Sequence, residues 1–303
     1  MLFLRVTLFF LLALPTAHAG PRSQTLQVTE GPKVWTFAYT WRDGAGSKES
    51  TQFKLSAGPL QADLTEPTWL PRRELNTHMA KAVRAWAKTL PKHTKVKAEV
   101  GGGGLNLQVT GPRKSAKSAL KEADQVADDA ADVWLAANDF TTLKGGDVSF
   151  DHAKLADLYA DDLAPIAAAF KAETRSQRAF IDRTLSFVQA IPYEARKKKG
   201  GDPGYRRPLA LLKRNRGDCD SKAVLFLGIL KAAYPNLDLA VVYVPGHALV
   251  GVGVEPEKGD RSFRSDGERY VYAEPVGPAL HPLGEPAKEN RRAACKGEVR
   301  PVP

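Results

Sequence analysis

The chain has 303 residues, 43% of them hydrophobic and 26% charged, enough apolar material for a packed core and too much for a disordered or low-complexity protein. The formal net charge is +10, which steers acidic surfaces or substrates towards the molecule without specifying its fold. The basic residues are scattered, and the one dense run, Lys197-Lys198-Lys199 near Arg206 and Arg207, reads as a solvated loop. No nucleic-acid partner is expected.

Met1 to Ala19 reads as an export signal. Arg5 is its charged start, Phe9 to Leu14 its apolar heart, and Ala17-His18-Ala19 a small-x-small cleavage site. The apolar run is short for a permanent anchor, so the mature protein is expected without a stable membrane span and periplasmic or secreted. An uncleaved N-terminal anchor is the alternative.

Gln24 to Thr29 and Lys33 to Trp41 follow as strands. In the second, Trp35, Phe37, Tyr39 and Trp41 alternate onto one face. That row can bind sugars, but a core face packed on a helix is the reading preferred. A third strand covers Thr51 to Leu55. Pro71 to Leu90 has helical spacing, with Pro71 suited to a first turn. Thr94 to Val100 and Leu105 to Val109 are strands joined by Gly101 to Gly104. That glycine run lacks the Lys-Ser/Thr of a phosphate loop and reads as a hairpin turn. Ser115 to Asn138 is a long amphipathic helix. His78 and His93 have no partners at metal-like spacing and read as surface histidines. Residues 20–145 are therefore expected to form a small N-terminal α+β domain.

Residues 146–281 should form a second domain. A helical run from Tyr159 to Phe170 is interrupted by Pro165, and Ser176 to Gln189 is an amphipathic helix. Asp151-His152 and Asp161-Asp162 are metal ligands in principle, and more simply a helix start and a solvated turn. After a Lys/Gly/Arg-rich loop comes a short turn at Leu209 to Leu212. The helix from Asp218 to Tyr234 is apolar almost all round and should be buried centrally. Asp218 is a natural N-cap, which puts Cys219 at the positive end of the helix, where thiolate is favoured. Asp218 and Asp220 oppose that effect, so the sulfur needs a histidine partner.

His247 is the candidate. Leu239 to Val244 is a strand, Pro245-Gly246 breaks it, and His247 opens the next strand. Arg269 to Glu274 returns after a polar stretch. A turn centred on Asp260-Arg261 would set His247 directly opposite Glu274, ~4.5–5.5 Å apart at Cβ. Cys219 would then attack an amide or ester carbonyl, His247 would carry the proton, and Glu274 would orient the ring. The Cys219 N–H and a side-chain donor would hold the oxyanion.

Three fragments, Gly217-Asp218-Cys219-Asp220, Val244-Pro245-Gly246-His247-Ala248 and Tyr270-Val271-Tyr272-Ala273-Glu274-Pro275, resemble in order and spacing the transglutaminase-like superfamily of cysteine enzymes, especially its bacterial members. The resemblance covers roughly Phe180 to Pro278. It implies an α+β, papain-like core in which a Cys-bearing helix packs on an antiparallel sheet carrying His and acid. It also implies peptidase, amidase or transglutaminase activity with no cofactor and no catalytic metal. Glu274 stands where the family usually has Asp. The family's upstream oxyanion donor falls nearest Tyr205, with Arg206 a rival.

The resulting expectation is an exported hydrolase acting on a protein or peptide substrate, the cell envelope being one source. A protein-crosslinking transglutaminase and a non-catalytic module that keeps the fold are the alternatives. The chain's two cysteines could instead form a Cys219–Cys295 disulfide. Cys295 lies in a Pro/Lys/Arg/Glu-rich tail, Pro282 to Pro303, expected to be disordered.

Overall fold

The computed structural model describes residues 24–65, 69–194 and 205–303. The export signal and the triple-lysine run lie outside them. The chain is mixed α+β with antiparallel sheets. Its contacts divide the described residues into two units. One is residues 70–151, and the other combines the residues before 70 with residues 152–303.

The chain begins with strands β1 (Thr25–Thr29), β2 (Val34–Arg42) and β3 (Lys48–Ser56), paired antiparallel in that order, followed by helix α1 (Ala57–Thr65). The aromatic row of β2 is core, as its alternation suggests: Trp35, Phe37, Tyr39 and Trp41 are all buried. These strands were expected in the N-terminal domain. They belong instead with the unit carrying Cys219. The Tyr39 hydroxyl donates to Leu212 O at 2.5 Å, and Trp41 Nε1 to Ser186 Oγ at 3.2 Å. Tyr39 and Trp41 also meet Phe187 edge-on.

The unit of residues 70–151 contains α2 (Arg72–Ala87), β4 (Lys95–Gly101), β5 (Gly104–Thr110), α3 (Arg113–Ala137), β6 (Phe140–Thr142) and β7 (Val148–Phe150). The glycine run closes the β4–β5 hairpin, Gly102 and Gly103 taking positive φ. Leu75, Met79 and Val83 of α2 are buried with Ala98 of β4 and Ala119, Ala123 and Ala127 of α3. The small α3 side chains let the helix approach closely.

The larger unit continues with α4 (His152–Leu158), α5 (Ala160–Ala172), α6 (Gln177–Ala190), α7 (Pro208–Arg214) and α8 (Cys219–Ala233). Pro165 does not interrupt its helix: α5 runs through it, at the loss of one backbone hydrogen bond. Ten successive residues of α8, Ser221 to Leu230, are buried, with α4, α5, α6 and α7 packed around it. β8 (Leu239–Val244), β9 (His247–Val252), β10 (Ser262–Ser265), β11 (Glu268–Ala273), α9 (Arg291–Ala294) and β12 (Glu298–Pro301) complete the chain. The sheet order is β10-β11-β9-β8-β12.

The tail differs from the disordered segment expected of its composition. Glu298 to Pro301 pair antiparallel with Tyr243 to Ala240 as an edge strand. Ala293, Ala294 and Val299 cover the face formed by Val242, Val244, Leu249 and Tyr272. A few small apolar residues suffice because the sheet supplies the rest of that cluster. Among the described residues, no helix is long and apolar enough to cross a membrane.

Candidate active site

The entry to α8 is tightly specified. Gly217 is pinned to the segment after α6: its N–H donates to Pro192 O at 3.3 Å, and its carbonyl accepts from Glu194 N at 3.0 Å. A Cβ on Gly217 would stand 2.5 Å from Leu211 Cδ1, so no larger residue fits without displacement. Asp218 is the extended N-cap, its Oδ1 accepting from Ser221 N at 3.0 Å and Ser221 Oγ at 2.5 Å. This is the capping expected from sequence.

Cys219 therefore opens α8. It is half-buried and free, as is Cys295, so the alternative of a Cys219–Cys295 disulfide is not formed. Burial, then Asp220 and Asp218, push the Cys219 thiol well above its ordinary value. The opposition of the flanking aspartates thus holds, and burial adds to it.

His247 opens β9 directly after a tight turn in which Gly246 has φ 71°, as a Pro-Gly turn of type II requires. The turn before β11 is not at Asp260-Arg261. It is Asp266-Gly267, both with positive φ, the type I′ signature. It joins β10 to β11, and β11 then lies between β10 and β9. The β9–β11 register differs accordingly: Val250 pairs with Ala273 and Val252 with Val271. Continued to the end of β9, it sets His247 opposite Val276, with Glu274 on the diagonal. The displacement from the expected register is even, so both side chains keep one face. Diagonal neighbours lie ~7–8 Å apart at Cα, and the extra methylene of Glu over Asp helps span that gap. His247 Nε2 and Glu274 Oε1 are 3.0 Å apart.

Glu274 has two further donors, both in the tail. Ala287 N reaches Oε2 at 2.6 Å, and Asn290 Nδ2 reaches Oε1 at 2.5 Å. Burial pushes the Glu274 carboxyl up, but the His247 bond and charge, the Ala287 N–H and His281 outweigh it. The group titrates below its ordinary value. With Nε2 engaged, Nδ1 is the His247 nitrogen left for proton transfer. Among the described residues, no hydrogen bond joins Cys219 to His247. The pleat sets His247 on the face covered by the tail, whereas Tyr243, on the opposite face, reaches towards α8 through His152.

Three polar residues missed by the sequence reading tie this region together. Lys222, one turn beyond Cys219, is fully buried, its Nζ donating to Ile191 O at 2.5 Å and lying 3.4 Å from Gln189 O. Burial lowers its pKa to about 7 against the pull of Asp218 and Cys219. Gln189 also donates through Nε2 to Glu274 O at 2.8 Å and His281 O at 2.9 Å. It thereby links the first turn of α8 to the strand end carrying the acid. His152 was read as a helix start or a metal ligand. It is fully buried, with Nδ1 3.0 Å from the Tyr243 hydroxyl and Nε2 3.1 Å from Asp220 Oδ1. A lysine inside an otherwise apolar helix was a visible signal. The partners of Gln189 and His152 lie tens of residues away in sequence, and no local pattern announces them.

Tyr205, the expected oxyanion donor, is 2% exposed. Its neighbour Arg206 donates its backbone N–H to Ser221 Oγ at 2.9 Å, which sets residue 205 near the first turn of α8. Burial, then Tyr159, with further effects from Arg207, Asp63 and Asp218, governs its phenol. Tyr193 is the tyrosine whose ionisation is opposed by burial and then by Cys219, and it bridges to Gly217. Among the described residues, no group of three or more His, Cys, Asp or Glu is placed to hold a metal ion. Comparison with protein-family models, curated proteins and solved structures returns no match.

Proposed function

We propose that the protein is an exported, transglutaminase-like cysteine acyl-transfer enzyme with a papain-like core, hydrolysing peptide or amide bonds of a protein or peptide substrate. The observation that carries this reading is the His247–Glu274 pair, with Glu274 held by three donors. An imidazole so oriented is what a thiol nucleophile requires. Cys219 supplies the thiol at the end of a helix that packs on β9.

In this reading Nδ1 of His247 takes the Cys219 proton. No Cys219–His247 bond is present among the described residues and His247 lies on the tail-covered face of the sheet, so the step requires the start of β9 to turn the ring to the Cys219 side when substrate binds. Thiolate adds to the scissile carbonyl, and the tetrahedral oxyanion is met by the Cys219 N–H and a tyrosine, Tyr205 or Tyr193. Collapse expels the amine, which takes the proton from His247 and leaves a thioester. Water then adds to the thioester, deprotonated by His247, and releases the acid and the thiol. Water, the abundant acceptor, is preferred to an amine. Periplasmic or secreted localisation follows from the leader read in the sequence.

The raised Cys219 thiol and the absent Cys219–His247 bond favour a second reading, a non-catalytic module that keeps the fold. Iodoacetamide labelling separates the two. The enzyme reading expects Cys219 to label faster at neutral pH than a free model thiol and His247→Ala to slow it. Labelling no faster than the model thiol, unchanged by His247→Ala, would leave the module. Amine incorporation into a glutamine peptide, compared with its hydrolysis, tests the transglutaminase alternative.

A further inference from the structure

A cavity of about 470 Å³ is lined by Asp63, Leu64, Glu194, Arg206, Ala210, Arg214 and Arg216. Its three arginines are not equivalent. Arg206 Nη2 is 2.5 Å from Glu194 Oε2. Arg214 and Arg216 are exposed and have no acidic partner among the described residues. Both oxygens of Asp63 are engaged with the protein, one by the Tyr159 hydroxyl and the other by Leu209 N at 3.0 Å. Burial pushes the Asp63 carboxyl up to about 6, so near neutral pH it is still mostly ionised, with that charge held by these two donors.

The cavity adjoins the chain that delivers Cys219. Glu194 N is bonded to Gly217 O. Arg216 precedes Cys219 by three residues, at most about 11 Å of extended chain. The backbone of Arg216 therefore lies within a few residues' span of the sulfur-bearing residue, which puts the cavity beside the chain leading to Cys219.

We infer that this cavity binds a carboxylate of the substrate through Arg214 and Arg216, so that peptides carrying a carboxylate close to the scissile bond are selected. The inference rests on the cysteine-hydrolase reading for the bond cut, though binding itself does not require turnover. A guanidinium takes a carboxylate through two parallel N–H···O bonds. Glu194, paired with Arg206 beside the other two arginines, opposes a doubly charged phosphate more than a singly charged carboxylate. The chain's +10 net charge draws acidic peptides towards it.

The test is calorimetric binding to the full mature chain carrying Cys219→Ala, which removes turnover. The probes are acetylated alanine pentapeptides. One has a central glutamate and an amidated end, one a central glutamine and an amidated end, and one no acidic side chain but a free carboxyl terminus. Exchanging a charged for a neutral acceptor should weaken binding about tenfold. At least one carboxylate peptide should therefore bind about tenfold tighter than the glutamine peptide, and which one does so identifies a side chain or a chain end. Arg214→Gln with Arg216→Gln should abolish the preference with the circular dichroism spectrum unchanged. Arg216→Glu alone should reverse it. Equal affinity for all three peptides, a preference surviving both variants, or inorganic phosphate binding more tightly than either carboxylate peptide would overturn the inference. A wild-type chain that binds with this preference but hydrolyses nothing would defeat the hydrolase reading and leave the cavity assignment intact. Hydrolysis with no carboxylate preference would do the reverse.

Discussion

Replacing Glu274 by Gln keeps the shape of the side chain and removes its charge. The carboxylate is 5% exposed and accepts from His247, Ala287 and Asn290. A hydrogen bond to a charged group contributes about 1.5–3 kcal/mol, against 0.5–1.5 for a neutral one. Each of the three bonds should therefore weaken by roughly 1 kcal/mol, and the new amide NH₂ confronts at least one donor. Relief from burying a charge offsets part of this, leaving a net loss of about 2–3 kcal/mol. For a unit of this size, 1 kcal/mol moves Tm by about 2–4 °C, so calorimetry should show a fall of roughly 5–10 °C near pH 7. The effect is pH-dependent. Because the folded carboxyl titrates below its ordinary value, its contribution is present above ~4.3 and is lost as pH falls through the folded value. The gap between parent and variant should therefore close in acid. A Tm within a degree of the parent at pH 7, or a gap that persists undiminished in acid, would refute the idea that the tail clamps a charged Glu274.

Lys222 predicts a slope of the same sign in a higher pH window. Its folded pKa is lowered to about 7 from ~10.4 unfolded, so the unfolded chain binds more protons between those values. Stability should rise with pH over that window, by at most about 1.4 kcal/mol per unit, and Lys222→Met should flatten the rise in urea titrations at pH 7, 8 and 9. Gly217→Ala should cost about 1–3 kcal/mol through overpacking against Leu211 and lower the urea midpoint; an unchanged midpoint would contradict the close approach. The two tyrosines can be separated kinetically. If Tyr193 is the oxyanion donor, Tyr193→Phe should lower kcat about 10²–10³-fold with little change in KM, and Tyr205→Phe should not; the reverse result would restore Tyr205.

Much of this site is written in local sequence. Asp218 caps α8 because a short acceptor before an apolar helix satisfies its free N–H groups, and Cys219 follows as its first residue. His247 and Glu274 share a face although the expected register was displaced. Strand side chains alternate with period two, so an even displacement changes partners without changing faces. The aromatic row of β2 announced its burial by the same alternation. What covers each buried face was not legible. Periodicity reports which side leaves water and not what it meets there. Only tertiary structure joined β1, β2 and β3 to the unit of Cys219, through Tyr39 and Trp41. Only the sheet, by offering β8 as a partner, ordered a tail whose composition suggested disorder, and that tail brings Asn290 and Ala287 to Glu274. The buried polar links of Lys222, Gln189 and His152 depend on groups brought together from distant parts of the chain, because a buried donor is tolerated only where the fold supplies its acceptor.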